Sequence, residues 1–242
     1  MPTSVAALRA LIQERFPNAA PLTGGAQTTD QVATGIGALD RVLPNGGLPR
    51  GRLSVWAPHG GATAILRAAC DSAVAAGERA AWVDGDNTIV GASWTRVAGV
   101  GDAGATSEGL YLIRPKSRIH ALRAAEELLR CGGFSLLILG GTEPQGTETV
   151  RLTRAAREGG SALVTVGSSA SMASLRLTSR LLRYRWRRTP FGDPAEAQDA
   201  TVRVSARAAG WNAHADFPIP VMHHELRLSL ESALADRRGL PR

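Results

Sequence analysis

Short apolar runs and amphipathic segments alternate through the middle of the chain. Five apolar runs, each typical of a buried strand, begin at Leu53, Arg79, Leu110, Phe134 and Ala162. Amphipathic segments with apolar residues at helical spacing follow them, over 65–76, 117–130 and 147–158. In the helix over 117–130 the spacing predicts an inward face of Ile119, Leu122, Ala125 and Leu129. Strands that alternate with helices predict an α/β fold with a mostly parallel sheet flanked by helices.

Strict alternation of apolar and polar residues replaces this pattern after residue 180. Residues 181–187 place Leu182, Tyr184 and Trp186 on one side of a strand, opposite Arg183, Arg185 and Arg187. Residues 201–207 alternate in the same manner, with Arg203 and Arg207 on the polar side. A loop rich in Pro, Gly and Asp joins the two runs. The sheet is therefore expected to end in an antiparallel β-hairpin.

The two ends of the chain differ from this core. Residues 4–16 place apolar side chains at helical spacing, which predicts an amphipathic helix within an N-terminal helix and linker over 1–34. The core is expected over 35–221 and a polar tail over 222–242. The helix either docks on its own domain or packs on a neighbouring protein. Under the second interpretation, the partner-binding residues in the helix and the tail are Leu8, Leu11, Ile12, Phe16, Arg237 and Arg238.

The charge balance narrows the class of partner. The 242 residues carry 28 Lys and Arg against 21 Asp and Glu, a formal net charge of +7. Such an excess favours nucleic acid or an acidic protein surface as a partner. The alternating arginines, with Arg188 beside them, are expected on one sheet face, where like charges repel. Phosphates or an acidic partner would offset that repulsion, and local pairing with Asp193, Glu196 or Asp199 would do so too.

Cysteine and histidine usage gives no sign of a metal centre. Cys70 and Cys131 lack metal-ligand spacing and are expected to be reduced packing residues. His223 and His224 have no Cys or carboxylate at ligand spacing. No apolar run approaches the length of a membrane span, and the first residues lack a signal-peptide core. We therefore expect a cytoplasmic protein without a metal site, associated with the nucleoid if its basic face binds DNA.

Residues 51–64 have the setting of a phosphate-binding loop: an apolar strand, a Gly-bearing turn and a helix. A working loop reads Gly-x-x-x-x-Gly-Lys-Ser/Thr, in which backbone N–H groups and the Lys hold phosphates and the hydroxyl holds magnesium. Here the first Gly is replaced by Ala57, and the Lys position falls on Ala62 or Thr63. No Lys occurs in this stretch. The predicted degenerate site comprises Ala57, Pro58, His59, Gly60, Gly61, Ala62 and Thr63.

The run 35–58, GIGALDRVLPNGGLPRGRLSVWAP, resembles the start of the RecA/RadA recombinase core. The strand over 81–86 resembles the family strand that ends in Asp-x-Glu, and 134–140 resembles its magnesium-binding strand. The resemblance implies that Asp84 and Asp86 are catalytic remnants and that Gly140 stands where a magnesium carboxylate is expected. The preference of Asp for turns gives the other interpretation, that Asp84 and Asp86 cap a loop at the strand end. Without the Lys and that carboxylate, we expect no catalytic residues, no cofactor, and very slow or absent ATP turnover.

A degenerate RecA-like core of this length with a short basic tail is similar to the ImuA family of DNA-damage-inducible mutagenesis cassettes. That resemblance implies a non-catalytic accessory role in bacterial error-prone translesion synthesis and SOS mutagenesis. The implied partners are an inactive ImuB-like Y-family polymerase homologue and RecA, an error-prone C-family polymerase indirectly, and DNA. Two alternatives stay open: an active DNA-dependent ATPase of the RecA/RadA type, and a cell-division inhibitor similar to SulA.

Overall fold

A computed structural model describes residues 30–89, 110–167, 172–187 and 196–220. The predicted N-terminal helix, Arg188 and the tail with Arg237 and Arg238 lie outside these ranges, as do His223 and His224. Within the described residues, no helix is long and apolar enough to cross a membrane.

The predicted helices and strands of the core are present in the predicted order, together with three strands that were not predicted. The first half of the described chain contains β1 (Gln31–Val32), α1 (Gly37–Asp40), β2 (Leu48–Pro49), β3 (Leu53–His59), α2 (Ala62–Ala75), β4 (Ala80–Asp84) and β5 (Leu110–Ile113). The second half contains α3 (Arg118–Arg130), β6 (Leu136–Gly140), α4 (Thr147–Gly159), β7 (Ala162–Val166), β8 (Leu175–Arg187), β9 (Glu196–Ala208) and β10 (Trp211–Pro220). Strands β1 and β2 pair as a small separate ribbon.

The main sheet has eight strands in the order β10-β9-β8-β3-β7-β6-β4-β5. From β5 to β8 neighbouring strands are parallel, and β9 and β10 are antiparallel. The fold is therefore the predicted α/β arrangement, a mostly parallel sheet that ends in antiparallel strands. Because the parallel strands are covered on both faces, they read as continuous apolar runs rather than alternating ones.

Two hydrophobic cores lie on opposite faces of this sheet. On one face α2 buries Ile65 and Leu66 against Trp56 of β3, and the inward side chains of β9 and β10 join the same cluster. On the other face α3 and α4 bury Leu129 and Leu152 against the alternate residues of the parallel strands. Because strand side chains alternate between faces, β3 contributes to both cores at once.

The end of the sheet is larger than the predicted hairpin. Strand β8 begins at Leu175 rather than Leu181, and a third antiparallel strand, β10, pairs with β9. In β10 Ala215, Phe217 and Ile219 are buried and alternate with exposed residues. Two prolines, at 218 and 220, argue against a central strand, but β10 is an edge strand, where Pro is tolerated.

Two expected packing positions are wrong. Ile119 of α3 was expected inward, but 63% of its surface is exposed, whereas Ala121, Ala125 and Leu129 are buried. Cys131 was expected to pack, but it caps the C-terminus of α3 and is exposed. Cys70 is buried in α2 as expected, and burial raises the pKa of its thiol, which makes it unreactive.

Candidate functional site

The turn between β3 and α2 is much shorter than a phosphate-binding loop. Strand β3 continues through the first half of the predicted loop, because Ala57, Pro58 and His59 pair with residues 178–180 of β8. Helix α2 begins at Ala62. Only two glycines, Gly60 and Gly61, connect the strand to the helix.

These two glycines face apolar side chains of the antiparallel strands. A Cβ placed on Gly60 would lie 3.0 Å from Cδ1 of Leu181. A Cβ on Gly61 would lie 3.0 Å from Cγ2 of Val202 and 3.4 Å from Cδ1 of Ile219. Both glycines have positive φ, +111° and +79°. The turn thus combines a left-handed backbone with close packing, and each feature alone favours glycine.

The first turn of α2 offers little to a triphosphate. Ala62 is buried and Thr63 is exposed. The first cation of the helix, Arg67, lies with its Nε 3.9 Å from Oδ2 of Asp71, one turn further on. Burial raises the pKa of the Asp71 carboxyl above its ordinary value, and the charge of Arg67 offsets only part of that rise. Arg67 is therefore engaged with its own helix.

A cleft of about 420 Å³ opens at the carboxyl ends of β3, β4, β6 and β7. Its lining includes Pro58 and Thr63 of the degenerate loop and three carboxylate residues, Asp84, Asp86 and Glu143. In open α/β sheets this edge is the usual ligand-binding position. The described lining contains no Lys or Arg, so its charged side chains would repel phosphates rather than hold them.

Asp84 organises the turn after β4. Its side chain is almost fully buried; Oδ1 accepts a hydrogen bond from the N–H of Thr88 at 3.2 Å, and Oδ2 accepts one from the N–H of Ile89 at 2.9 Å. Nε of Arg114 lies 4.0 Å from Oδ2. Both oxygens are thus engaged by the protein. Asp86 is exposed, and its side chain lies against the backbone at Gly141.

We expect Asp84→Ala to lower the free energy of unfolding by about 1–3 kcal/mol, because it leaves backbone N–H groups without partners. Asp86→Ala is the matched control, and we expect a change within about 0.5 kcal/mol because Asp86 is exposed. Urea unfolding of both variants measures the difference. Equal effects of the two substitutions would contradict the role of Asp84 as a turn cap.

Gly140 ends β6 beside Asp84, as its pairing shows. A Cβ on Gly140 would lie 3.1 Å from Nε1 of Trp82, so a carboxylate side chain here would press on that indole ring. In the described residues no group of three or more His, Cys, Asp or Glu side chains could hold a metal ion. Trp82 thus occupies the space that a metal-binding side chain would need.

The predicted arginines share one face of the antiparallel strands. Cross-strand pairs place Arg183 opposite Thr201, Arg185 opposite Asp199 and Arg187 opposite Glu196, on the face that carries Arg203 and Arg207. Two further arginines, absent from the prediction, lie on the same face. In the strand register Arg180 lies opposite Arg203, and Arg176 lies opposite Arg207. We call this the arginine face, and its members with described side chains are Arg176, Arg180, Arg183, Arg185, Arg203 and Arg207.

Two described carboxylates offset part of this charge. Arg203 donates to both oxygens of Asp216, from Nε at 2.7 Å and from Nη2 at 2.6 Å. These hydrogen bonds lower the pKa of Asp216 and raise the pKa of Arg203. Arg185 pairs with Asp199, one of the predicted local partners. Arg180 and Arg183 have no carboxylate partner within the described residues, so this part of the arginine face keeps its positive charge.

Comparison with curated proteins finds a distant and partial similarity. The chain is 32% identical over 110 residues to Protein RecA of Frankia casuarinae, which covers 45% of this chain and 30% of that protein. It is 34% identical over 113 residues to Protein RecA of Salinispora arenicola, covering 46% and 31%. It is 31% identical over 115 residues to Protein RecA of Nocardia farcinica, covering 47% and 31%.

The chain is a distant, partial relative of RecA. The matched region spans less than a third of the length of each RecA. No family model matches the chain. The similarity agrees with the sheet that the structure contains, and it leaves the activity and partners of this RecA relative to be argued from its own residues.

In this RecA relative the structure brings together only part of the predicted nucleotide site. Pro58, Thr63, Asp84, Asp86 and Gly140 line the cleft. His59 and Gly60 instead lie beside β8, and Gly61 lies against β9 and β10. Glu143 also lines the cleft but was not predicted, since no motif marks a single carboxylate in a loop. The predicted site is thus divided between a cleft and a packed turn.

Proposed function

We propose that this protein is a non-catalytic, RecA-like accessory protein of bacterial error-prone translesion synthesis, of the ImuA type. Its core would serve as a scaffold that binds other macromolecules and would not hydrolyse ATP. The relationship to RecA supports a role in DNA repair and damage tolerance. The resemblance to ImuA in length, degenerate core and basic tail supports the narrower role.

The observation that carries this proposal is the packed turn at Gly60 and Gly61. Phosphate loops bind by directing several backbone N–H groups and a Lys toward the phosphates. Here β3 occupies half of that loop, apolar side chains of β8 to β10 fill the space beside the glycines, and no Lys is present. The carboxylates in the neighbouring cleft would add repulsion. The turn therefore lacks the groups that would bind the phosphates of ATP, which supports a role that does not depend on ATP hydrolysis.

The proposed protein partners are an ImuB-like Y-family polymerase homologue and RecA, with an error-prone C-family polymerase reached indirectly. We assign partner contacts to the apolar side of the predicted N-terminal helix and to the basic tail. Residues Leu11 and Ile12 are central in that helix pattern, and Arg237 and Arg238 are the paired charges of the tail. Buried apolar anchors contribute most of the binding energy at such interfaces.

Binding of the full chain to the ImuB-like protein tests the accessory role. We expect saturable binding by surface plasmon resonance that ATP and magnesium leave unchanged. We expect Leu11→Asp with Ile12→Asp to weaken it at least about tenfold, since a charge would replace a buried anchor. Asp30→Ala, at an exposed site, is the control.

Two outcomes would contradict the accessory role, and a third would contradict the assigned contact. The first is binding to a tubulin-like division protein in place of the polymerase homologue, which would favour the SulA-like alternative. The second is DNA-stimulated ATP hydrolysis, which would favour the ATPase. The third is an equal loss of polymerase-homologue binding in the Asp30→Ala control, which would remove the assigned contact.

A further inference from the structure

The far end of β8 extends beyond its parallel neighbour. Strand β3 ends at His59, which pairs with Arg180. From Leu181 to Arg187, β8 pairs with β9 alone. Within the described residues this edge of β8 therefore has no strand beside it, and an unpaired strand edge is a common place for another molecule to bind. We call residues 181–187 the β8 extension.

The two sides of the β8 extension carry different chemistry. Arg183 and Arg185 lie on the arginine face. Tyr184 and Trp186 point to the opposite side, beyond the core, and 46% and 57% of their surfaces are exposed. Their ring centroids lie 5.8 Å apart with the planes tilted by 46°. A ligand that runs along the open edge can therefore contact cations on one side and aromatic rings on the other.

The spacing of these groups suits a flexible polymer with regular charge. Residues two apart on a strand lie roughly 6.8 Å apart, so Arg183 and Arg185 present charges at that interval. Arg180, on the same face, continues the row. Only Arg185 of these three has a carboxylate partner in the described residues, namely Asp199. The row therefore retains positive charge that the described protein does not neutralise.

We propose that the β8 extension binds single-stranded nucleic acid. The arginines would contact the phosphates, and Tyr184 and Trp186 would stack on bases. Basic grooves with stacking aromatic side chains are the general means by which proteins hold single strands without reading their sequence. A duplex hides its base faces inside the stack, so it can use the arginines but not the rings. An acidic protein surface could likewise pair with the arginines but would leave both rings unused.

This inference deepens the proposed function, because it names the second macromolecule that the scaffold holds and where it lies. It rests on the proposed function for its biological setting only. The site uses neither the β3–α2 turn nor the N-terminal helix, so binding can be measured without ATP and without protein partners. Loss of strand binding with intact partner binding would overturn this inference alone.

Fluorescence anisotropy of the full chain with two oligomers of about 16 nucleotides tests the stacking component. One is oligothymidylate, and the other is an abasic strand with the same phosphates and no bases. We expect the protein to bind oligothymidylate at least about tenfold more tightly. We expect Tyr184→Ala with Trp186→Ala to remove most of that preference, because stacking contributes on the order of a tenfold change per base.

Tyr111→Ala is the matched control for the aromatic variant. Tyr111 is 45% exposed on β5, at the opposite edge of the sheet, and its substitution is expected to leave the preference unchanged. For the charges, Arg180→Gln with Arg183→Gln is compared with Arg123→Gln on α3. We expect the first variant alone to reduce the slope of log K against log salt, by about 0.7 for each lost phosphate contact. Thermal unfolding confirms that each variant is folded.

Several outcomes would overturn the proposal. Equal affinity for the abasic strand and oligothymidylate would exclude stacking. Equal affinity for a duplex of the same length would assign the arginine face to phosphates alone. Displacement of the oligonucleotide by polyglutamate at similar charge concentration would favour an acidic protein partner. An unchanged preference in the folded Tyr184 and Trp186 double variant would place the binding site elsewhere.

Discussion

We expect Gly61→Val to lower the free energy of unfolding by about 2–4 kcal/mol, whether or not nucleotide is present. Gly61 has φ of +79°, a conformation that costs a residue with a Cβ about 1–2 kcal/mol. The new side chain would also meet Val202 at 3.0 Å and Ile219 at 3.4 Å, and such overpacking adds about 1–3 kcal/mol. For a chain of this size the melting temperature should fall by about 5–15 °C.

Gly77→Val is the matched control, since Gly77 lies at the other end of the same helix with φ of +77° and open space where its Cβ would stand. This control incurs the conformational cost without the packing cost. The difference between the two variants therefore measures the packing of the turn. An open phosphate loop at Gly61 would give the opposite result, two variants of similar stability, of which only Gly61→Val changes nucleotide binding.

We expect Gly159→Ala to be among the most destabilising single substitutions, by about 3 kcal/mol. In a helix Gly→Ala is normally favourable by roughly 0.5–1 kcal/mol. Here a Cβ would overlap the carbonyl oxygen of Leu129, where α4 meets the end of α3. Backbone cannot move aside like a flexible side chain, so the two helices must separate. Their separation would open the core that contains Leu129 and Leu152.

Gly160→Ala, at the next residue, separates this contact from the general sensitivity of the helix end. Gly160 has φ of +67° and nothing near its Cβ position, so its substitution should cost only about 1–2 kcal/mol. Urea unfolding gives both values. A Gly159→Ala variant as stable as the parent, or less affected than Gly160→Ala, would contradict the close helix contact.

The parallel part of the fold could be predicted because its signal is local. Each buried strand is a continuous apolar run, and each helix has an apolar stripe. The errors arose where a residue beside the apolar stripe of a helix was assigned to it, or where prolines interrupted the alternating pattern of a strand. Ile119 lies about 120° around the helix from Ala125, outside the stripe formed by Ala121, Ala125 and Leu129. In β10 the prolines hid a clear alternation of Ala215, Phe217 and Ile219.

The local alternation predicted part of the arginine face, but not its extension to Arg176 and Arg180. A β-bulge shifts the register of β8 between Leu181 and Arg183. Before the bulge the odd-numbered residues face the core side of the sheet, and after it the even-numbered residues face that side. Arg180 and Arg183 share a face only because of this bulge. The early part of β8 was also missed because Ser179 occupies a buried position, where its hydroxyl accepts a hydrogen bond from the indole of Trp56 at 3.0 Å.

The candidate nucleotide site was predictable in its residue types but not in its shape. The missing Lys and the Gly at position 140 are visible in the sequence, and they indicated a weakened site. The extension of β3 to His59 and the side chains that fill the turn depend on β8 to β10, which are distant in sequence. The structural role of Asp84 depends likewise on Arg114, brought close by the pairing of β4 with β5.

Direct titration of the full chain with ATP and magnesium tests the central claim. That claim is that the turn between β3 and α2 is packed against β8 to β10 and does not bind nucleotide. Isothermal calorimetry up to about 1 mM nucleotide covers the range in which enzymes ordinarily bind their substrates. We predict no saturable heat, with or without single-stranded DNA. Saturable, magnesium-dependent binding at micromolar ATP that Gly61→Val abolishes would contradict the account.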